Sequence, residues 1–281
     1  MNKVSRLQPH LVASLSALAL LGILSTALQA AGVPDGPQDD MYIGVWGAPT
    51  KPGWTTRLGI EALSLPAYEG AKNYLTLPVP SFEVDYNDRL YANIWSVTYA
   101  VFQNKWISIG PELTPYLARR ESYSDALKGT GDLPFDIKGG AFMGLHTPLG
   151  SLAVEASRTM TTSIGTTGSI SFQSGYVSQD KRFVLNVTPG VTWADNDYMQ
   201  NNFGITPSQS ANSGYSVYSP KACFYNYFLY VAPTFRIGAR HYIIPSVAYI
   251  REFGQASDSP LITGPGTDNQ FIGQLAYQYL F

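Results

Sequence analysis

The sequence predicts an all-β protein, a transmembrane antiparallel β-barrel of the outer membrane. Charged residues make up 14 % of the chain and aromatic residues 13 %, whereas soluble domains carry about 25 % charged residues. Apolar and polar side chains alternate along successive short segments, and the last segment ends on an aromatic stripe at Phe281. In a membrane barrel, apolar and polar side chains alternate along each strand. The chain as a whole is therefore polar on average, in line with its mean hydropathy of −0.04.

The amino terminus has the pattern of a secretory signal peptide over residues 1–30. Lys3 and Arg6 give a positively charged start, an apolar core follows, and cleavage is expected after Ala27 or Ala30. The apolar core is shorter than the ~20 residues that a permanent transmembrane helix needs. The chain is therefore expected to be exported and released from its signal.

The mature chain divides into an amino-terminal segment, 31–53, and a barrel, 54–281. The predicted strands are 55–66, 76–86, 89–101, 105–118, 134–146, 150–160, 167–178, 182–193, 222–236, 240–252 and 271–281. A closed bacterial barrel has an even number of strands, and this count is odd. We favour twelve, with residues 41–47 as an extra strand; ten remains open if one segment between 55 and 101 is not a strand.

Short and long connections alternate along the predicted strands. The short turns are 147–149, 179–181 and 237–239, and the long loops are 119–133, 195–221 and 253–268. Outer-membrane barrels place short turns in the periplasm and longer loops outside. Phe281 therefore belongs to the periplasmic side. His146 and His241 adjoin short turns, and both are predicted to be residues of the periplasmic rim.

The final strand carries a predicted signal for the barrel-assembly machinery. Gly273, Tyr277, Tyr279 and Phe281 share one face of this strand because side chains alternate at period two. Such an apolar face contacts lipid in a barrel, whereas the opposite face points to the lumen. Outer-membrane lipid and lipopolysaccharide are expected to surround the protein.

Four charged residues are predicted to face the lumen: Glu112, Asp136, Lys138 and Glu155, each opposite an apolar stripe. Such groups either pair across a filled interior or line an open channel. Small barrels of this size are usually filled by side chains, so we favour pairing. A buried charge without compensation is costly, and Lys138 is therefore expected to face one of the carboxylates.

The sequence does not favour an enzyme. After signal removal only His146 and His241 remain, and a hydrolytic site needs a base beside its nucleophile. Their predicted place at the periplasmic rim is far from outer-leaflet lipid. With 18 Lys and Arg against 20 Asp and Glu, no basic surface for nucleic acid is expected.

The acidic residues of the long loops are not predicted to form a metal site. Asp195, Asp197 and Asp258 offer the hard oxygen ligands that calcium uses. Their spacing differs from that of a dedicated calcium loop, so solvated side chains are the expected state. Weak divalent bridging to lipopolysaccharide is the alternative. No cofactor is predicted.

A family resemblance rests on several motifs. Residues 192–205 combine a strand ending in Trp193, a run of Asp and Asn, then Tyr-Met and Phe-Gly-Ile. Three further motifs accompany this one: Pro66-Ala-Tyr-Glu-Gly followed by Leu-Pro-Val-Pro, the Gly-Asp pair at 131–132, and Ala-Ser-Asp-Ser-Pro-Leu at 256–261. With these motifs the chain resembles the MipA/OmpV family of outer-membrane proteins from about residue 54 to 281. The added segment 31–53 and Leu280, in place of a basic residue, depart from the family pattern.

The resemblance implies a non-enzymatic outer-membrane barrel. One branch of the family is described as a scaffold that bridges a lytic transglycosylase and a murein synthase; other members are linked to adhesion, osmotic response and antibiotic susceptibility. We therefore expect a scaffold or partner-binding role at the cell envelope, with a small-solute channel or an adhesin or stress-responsive porin-like protein as the alternative. The outer-loop candidates are Trp193, Asp195, Asp197, Tyr198, Phe203 and Asp258. The loop aromatics Tyr198, Phe203, Tyr215 and Tyr218 either form a recognition surface or pack the loop over the barrel mouth.

Overall fold

The structure is a computed structural model that describes residues 53–93 and 95–281. The predicted signal peptide at 1–30 and the candidate strand at 41–47 lie outside the described residues. None of the helices in the described ranges is long and apolar enough to cross a membrane.

The chain folds into one antiparallel sheet that closes on itself. The strands are β1 (Trp54–Pro66), β2 (Tyr74–Tyr86), β3 (Leu90–Asn93), β4 (Val97–Tyr99), β5 (Phe102–Gln103), β6 (Ile107–Tyr116), β7 (Asp136–Thr147), β8 (Gly150–Thr159), β9 (Thr166–Val177), β10 (Phe183–Ala194), β11 (Cys223–Ile237), β12 (His241–Glu252) and β13 (Asn269–Leu280). Each strand pairs with its neighbours, and β13 also pairs with β1. β4 and β5 pair with successive parts of β6 and form one interrupted strand. The barrel therefore has twelve strands.

The prediction of twelve strands is confirmed, but the single strand predicted at 89–101 is wrong. This segment is a hairpin in which β3 turns into β4. Asn93 makes the turn, because its Oδ1 accepts hydrogen bonds from the backbone N–H groups of Trp95 and Ser96, both at 2.8 Å. The twelfth strand thus comes from this split, and the open alternative of ten strands is excluded.

The alternation of side chains along the strands separates the two faces of the barrel. Along β6, Ser108, Glu112 and Thr114 are at most 2 % exposed, whereas Ile109 and Leu113 are more than 40 % exposed. The inward side chains of this strand are polar, while the apolar outward side chains form a belt suited to lipid. The alternation of side chains at period two, which the sequence predicts, thus gives this strand its polar inner face and its apolar outer face.

The two ends of the barrel differ in their connections. One end, called here the turn end, carries the short connections 87–89, 104–106, 148–149, 178–182 and 238–240, together with Phe281. The other, called the loop end, carries 67–73, 95–96, 117–135, 160–165, 195–222 and 253–268. Longer connections have room to fold onto the barrel opening, so side chains from different loops can meet there.

Several long connections contain short helices that the sequence pattern does not announce. Asp195 caps α1 (Asn196–Phe203) by accepting a hydrogen bond from Tyr198 N–H. Thr206 and Gln209 form a capping box at the start of α2 (Pro207–Ser213), and α3 spans Pro260–Thr263. Two 3₁₀ turns lie at Glu121–Tyr123 and Asp125–Leu127. Capping satisfies the free N–H groups at helix starts, which allows such short helices to persist.

Candidate functional site

A cap of packed loops lies inside the loop end of the barrel. Tyr198 of α1 contacts Tyr116 of β6 and Tyr225 of β11, with ring centroids 6.3 and 5.9 Å apart. Four strands separate β6 from β11 around the barrel, so α1 spans the opening. Met199 and Phe203 of the same helix are fully buried. We call this assembly of loops 67–73, 117–135, 195–222 and 253–268 the cap.

Hydrogen bonds between loops hold the cap together. Each of these bonds joins a side-chain hydroxyl to a backbone carbonyl in another loop. They are Tyr68 to Leu261 at 3.0 Å, Ser259 to Phe203 at 2.6 Å, Tyr215 to Ala126 at 3.0 Å and Tyr218 to Gln255 at 2.7 Å. Since these carbonyls would otherwise be buried without partners, each bond also avoids a desolvation cost. The loops therefore act as one packed unit.

Two of the three aromatic outer-loop candidates, Tyr198 and Phe203, pack into the cap. Tyr198 is 5 % exposed and Phe203 is fully buried, so neither side chain offers a recognition surface. Trp193 is a half-buried residue of β10, paired with Phe224 of β11. Of the two alternatives drawn from the sequence, the geometry gives Tyr198 and Phe203 a packing role over the barrel mouth. Trp193 lies on the outer face of β10, between the inward-facing Thr192 and Ala194.

The acidic outer-loop candidates lie at the rim of the cap. Arg158 donates to Asp195 at 3.3 Å and to Asp197 at 3.2 Å, whereas Asp258 is exposed. Although partial burial acts in the opposite direction, hydrogen bonds from the backbone N–H groups of Tyr198 and Thr166 lower the pKa of Asp195. The main role of Asp195 is therefore to cap the start of α1, and its pair with Arg158 at the surface is secondary.

Glu69 is a charged group of the cap that sequence reasoning missed. Its Oε1 accepts hydrogen bonds from the hydroxyls of Tyr198 at 3.1 Å and Tyr225 at 3.3 Å. Burial of its carboxylate raises the pKa of Glu69 to about 7, although these two hydrogen bonds act to lower it. Gly70 beside it has a φ of +93°, a conformation that favours glycine. The Tyr-Glu-Gly run at 68–70 was the available signal for this tight entry into the barrel.

Three of the predicted lumen-facing residues share one part of the interior. Glu112, Lys138 and Glu155 are at most 6 % exposed and lie on the inner faces of β6, β7 and β8. Lys138 Nζ donates to Thr167 Oγ1 at 3.1 Å, and Ser169 donates to Glu155 at 3.1 Å. Glu112 and Glu155 both act electrostatically on Lys138. The structure therefore groups these charges inside the barrel wall.

Asp136, the fourth lumen-facing candidate, has a local role. It is the first residue of β7, and its carboxylate accepts hydrogen bonds from the backbone N–H groups of Thr161 and Thr162 at 2.7–3.2 Å. The two threonine hydroxyls also donate to it, at 2.8 and 2.6 Å. A carboxylate with this many donors organises the β8–β9 connection, because it satisfies the backbone of a tight loop.

The turn end of the interior is filled by a second polar group. Arg57 lies 3.6 Å from Glu83 and 4.8 Å from the ring centre of Tyr242. Gln278 donates to Ser81 at 2.9 Å and to Glu83 at 3.2 Å. Polar side chains from β1, β2, β12 and β13 therefore meet across this end of the barrel.

The histidines differ in their surroundings. His146 is 7 % exposed, with Nδ1 3.0 Å from Ser151 Oγ and Nε2 3.1 Å from Ser108 Oγ. Serine hydroxyls take up both ring nitrogens, so no carboxylate orients the ring as in a catalytic triad. His241 is exposed, with Nδ1 2.8 Å from the hydroxyl of Tyr277. No three His, Cys, Asp or Glu side chains between residues 53 and 281, residue 94 apart, converge as metal ligands.

The stripe of the last strand lies at the seam that closes the barrel. Tyr277 and Tyr279 pair with Ile60 and Leu58 of β1. Tyr277 is 43 % exposed and Phe281 70 % exposed, whereas Gly273 is half-buried. The aromatic side chains therefore stand on the outer surface, beside the strand pairing that completes the ring.

The connections of the turn end carry an excess of positive charge. Their cations are Arg89, Lys105, Lys181, Arg182 and Arg240, and their acidic side chains are Asp88 and Asp180. Arg89, Lys105, Arg182 and Arg240 are exposed. The turn end thus offers a small basic surface.

Comparisons with solved structures give distant likenesses to membrane barrels. An outer membrane channel from Pseudomonas putida F1 has a TM-score of 0.43 at 8 % identity, covering 85 % of this chain and 100 % of that chain. The NanC porin has a TM-score of 0.39 at 10 % identity, with 79 % and 98 % covered. A Pseudomonas aeruginosa FadL homologue has a TM-score of 0.37 at 9 % identity, with 94 % and 98 % covered. At these scores the barrel architecture rests on the strand pairing of this chain.

The family comparison is more specific. The search of curated protein sequences gives no match. The family model described as MltA-interacting protein MipA matches residues 58–281, which is nearly the whole described barrel. The closed twelve-stranded barrel agrees with the resemblance drawn from the sequence motifs. The chain belongs to the MltA-interacting protein MipA family.

Proposed function

We propose that this protein is a non-enzymatic partner-binding barrel of the Gram-negative outer membrane, with a scaffold role that includes the murein-synthesis machinery. The observation that carries the proposal is the cap, in which Met199, Phe203 and Ile205 are fully buried. A barrel whose mouth is packed with side chains acts through its surfaces. The family description, MltA-interacting protein, supports a partner of the murein transglycosylase class.

The turn end is the surface on which we place this partner. Short turns of outer-membrane barrels face the periplasm, where murein enzymes act. The basic residues of these turns, such as Arg182 and Arg240, favour a partner with an acidic surface, because complementary charge speeds and orients association. The segment 31–53 directly precedes β1 in the sequence, and β1 begins at the turn end, so this segment is a candidate docking arm.

Pull-down from detergent-solubilised envelopes tests the scaffold role. The mature protein is expected to retain a lytic transglycosylase and a murein synthase, and the double substitution Arg182→Glu with Arg240→Glu is expected to reduce their recovery. Lys128→Glu, an exposed residue of the loop end, is the matched control. A deletion of residues 31–53 separates the arm from the turns. Equal recovery from all four proteins would contradict the proposed docking surface.

Passage of a small solute is the second candidate function. The observation in its favour is the acidic inner wall, where Glu112 and Glu155 face the interior beside Lys138. Planar-bilayer conductance of the purified protein decides this candidate. Current steps that Glu112→Ala abolishes would support a pore, whereas a silent barrel would leave the partner-binding role alone.

A further inference from the structure

Four carboxylate or amide side chains at the loop end hold oxygens that are buried and have no hydrogen-bond partner. Glu69 comes from loop 67–73, Asn226 from β11, Glu252 from β12 and Gln270 from β13. The unpartnered atoms are Glu69 Oε2, Asn226 Oδ1, Glu252 Oε1, Glu252 Oε2 and Gln270 Oε1. We call these residues the carboxylate–amide cluster.

The strand register brings the cluster together. Asn226 is the direct partner of Glu252 in the pairing of β11 with β12, so their side chains leave the same face about 5 Å apart. Gln270 lies on the next strand, paired with Ile250, two residues from Glu252. These three side chains therefore occupy adjacent strands of one inner face.

Loop 67–73 brings Glu69 onto the same end of the sheet. Gln270 Nε2 donates to the carbonyls of Tyr68 and Ala71, each at 3.3 Å, and Thr267 N–H donates to the carbonyl of Gly70 at 2.8 Å. Glu252 and Glu69 act on each other electrostatically. The residues on both sides of Glu69 are thus bonded to the β12–β13 region.

These contacts fix which atom of Gln270 faces the cluster. An amide beside carboxylates normally turns its N–H groups toward them, because they donate hydrogen bonds to negative charge. In Gln270 the nitrogen is held by two backbone carbonyls, so its oxygen is the free end. An oxygen directed toward carboxylates is unfavourable unless a carboxyl proton or a cation lies between them, and above the pKa of Glu69, about 7, a cation is the favoured neighbour.

Lys138 and Arg119 act electrostatically on Glu69, but their hydrogen bonds go to groups outside the cluster. Lys138 donates to Thr167 and Arg119 donates to the carbonyl of Asn202, each at 3.1 Å. Glu252 is 1 % exposed, and the Oε2 atom of Glu69 is buried although the residue as a whole is partly exposed. Both carboxylate oxygens of Glu252 and the Oε2 atom of Glu69 thus lack a hydrogen-bond partner, and leaving buried carboxylate oxygens unpaired is costly.

We propose that the carboxylate–amide cluster binds one calcium ion. Calcium takes six to eight oxygen ligands from carboxylates and amide carbonyls, and it tolerates irregular geometry. Glu69 and Glu252 supply a charge of about −2 when both are ionised, which a divalent ion neutralises, and Asn226 and Gln270 supply neutral oxygens. The ion ties loop 67–73, and with it the cap, to β11, β12 and β13.

Calcium titration of the mature protein tests this site. The protein is refolded in detergent free of lipopolysaccharide, stripped with EDTA and titrated with CaCl₂ at pH 8 by calorimetry and thermal unfolding. We expect one ion per barrel and a higher unfolding temperature with calcium. Glu252→Gln removes one charged ligand and is expected to weaken binding at least about tenfold, since charge count sets calcium affinity. Asn226→Asp adds a charged ligand and is expected to tighten binding.

Asp258→Asn is the matched control, because it exchanges an exposed carboxylate for an amide in the neighbouring loop and should bind calcium as the parent does. Heat-modifiable migration on gels checks that each variant is folded. If Glu252→Gln does not fold, the parent protein and Asn226→Asp decide the outcome. The proposal is overturned if the parent binds no calcium, if Asn226→Asp does not tighten binding, or if Asp258→Asn weakens binding as much as Glu252→Gln does.

Discussion

Replacing Glu69 by Gln should make the barrel more stable at neutral pH in the absence of divalent ions. Burial raises the pKa of Glu69 from 4.5 to about 7, although hydrogen bonds from Tyr198 and Tyr225 and the charges of Lys138 and Arg119 act to lower it. Between these two pH values the unfolded chain ionises while the folded chain keeps its proton.

The sign and size of the effect follow from proton linkage. Because the folded state binds more protons between pH 4.5 and about 7, the free energy of unfolding falls as pH rises through this range and levels off above it. One pKa unit corresponds to 1.36 kcal/mol, so the full loss is on the order of 3 kcal/mol. Glu69→Gln keeps an oxygen for Tyr198 and Tyr225 but cannot ionise. The variant should match the parent near pH 4.5 and exceed it by about 3 kcal/mol at pH 8.

Urea unfolding in detergent with EDTA, followed by tyrosine and tryptophan fluorescence between pH 4.5 and 8, measures this difference. EDTA is needed because a bound cation would stabilise the ionised carboxylate. The control is Asp258→Asn, whose carboxylate is exposed and whose removal should leave the pH dependence unchanged. Parallel pH profiles for the parent and Glu69→Gln would refute the reasoning.

Three further substitutions probe the cap by the same unfolding measurement. Phe203→Ala deletes a fully buried ring and should cost about 3–5 kcal/mol, whereas Phe271→Ala, on the outer face at 54 % exposure, should cost much less; similar losses would contradict the packing of α1. Gly70→Ala must accept a φ of +93° and should cost about 1–3 kcal/mol, a prediction that fails if the variant is as stable as the parent. Arg158→Ala removes a pair with Asp195 that is half exposed and should cost under ~1 kcal/mol; a larger loss would show that this pair anchors α1.

The strands were predictable because their pattern is local. A lipid-facing and an inward-facing residue alternate within each strand, so ten of the predicted segments could be found without knowing their partners. The hairpin at 90–99 was missed because each arm is only three or four residues long. Such a length gives too few alternations to reveal a reversal. Asn93, whose side chain makes the turn, was the only local signal.

The candidate site was less predictable because its contacts are distant in sequence. Glu69 meets Tyr198 and Tyr225, which lie 129 and 156 residues further along the chain. No pattern within one segment reveals such a meeting. For Asp136, the alternation predicts that the side chain points inward. The pattern does not reveal that Asp136, at the start of β7, accepts hydrogen bonds from the backbone N–H groups of Thr161 and Thr162.

The interior of the barrel has two chemically different walls, and this division bears on both candidate functions. Leu63, Leu77, Phe228 and Ile250 form an apolar stretch on the inner faces of β1, β2, β11 and β12, between the polar group of the turn end and the carboxylate–amide cluster. In contrast, β6 to β9 present serines, threonines and carboxylates to the inside. A solute moving along the polar wall would meet the cap, where α1 spans from β6 to β11. Passage therefore requires the cap to move, and loop 67–73, held by Gln270, is the part of the cap bonded to the apolar wall. Partner binding does not require the cap to move, because the turn end stays accessible while the cap is closed. Loss of the contacts around Glu69 should therefore alter conductance if the protein is a pore, and leave partner recovery unchanged if it is a scaffold.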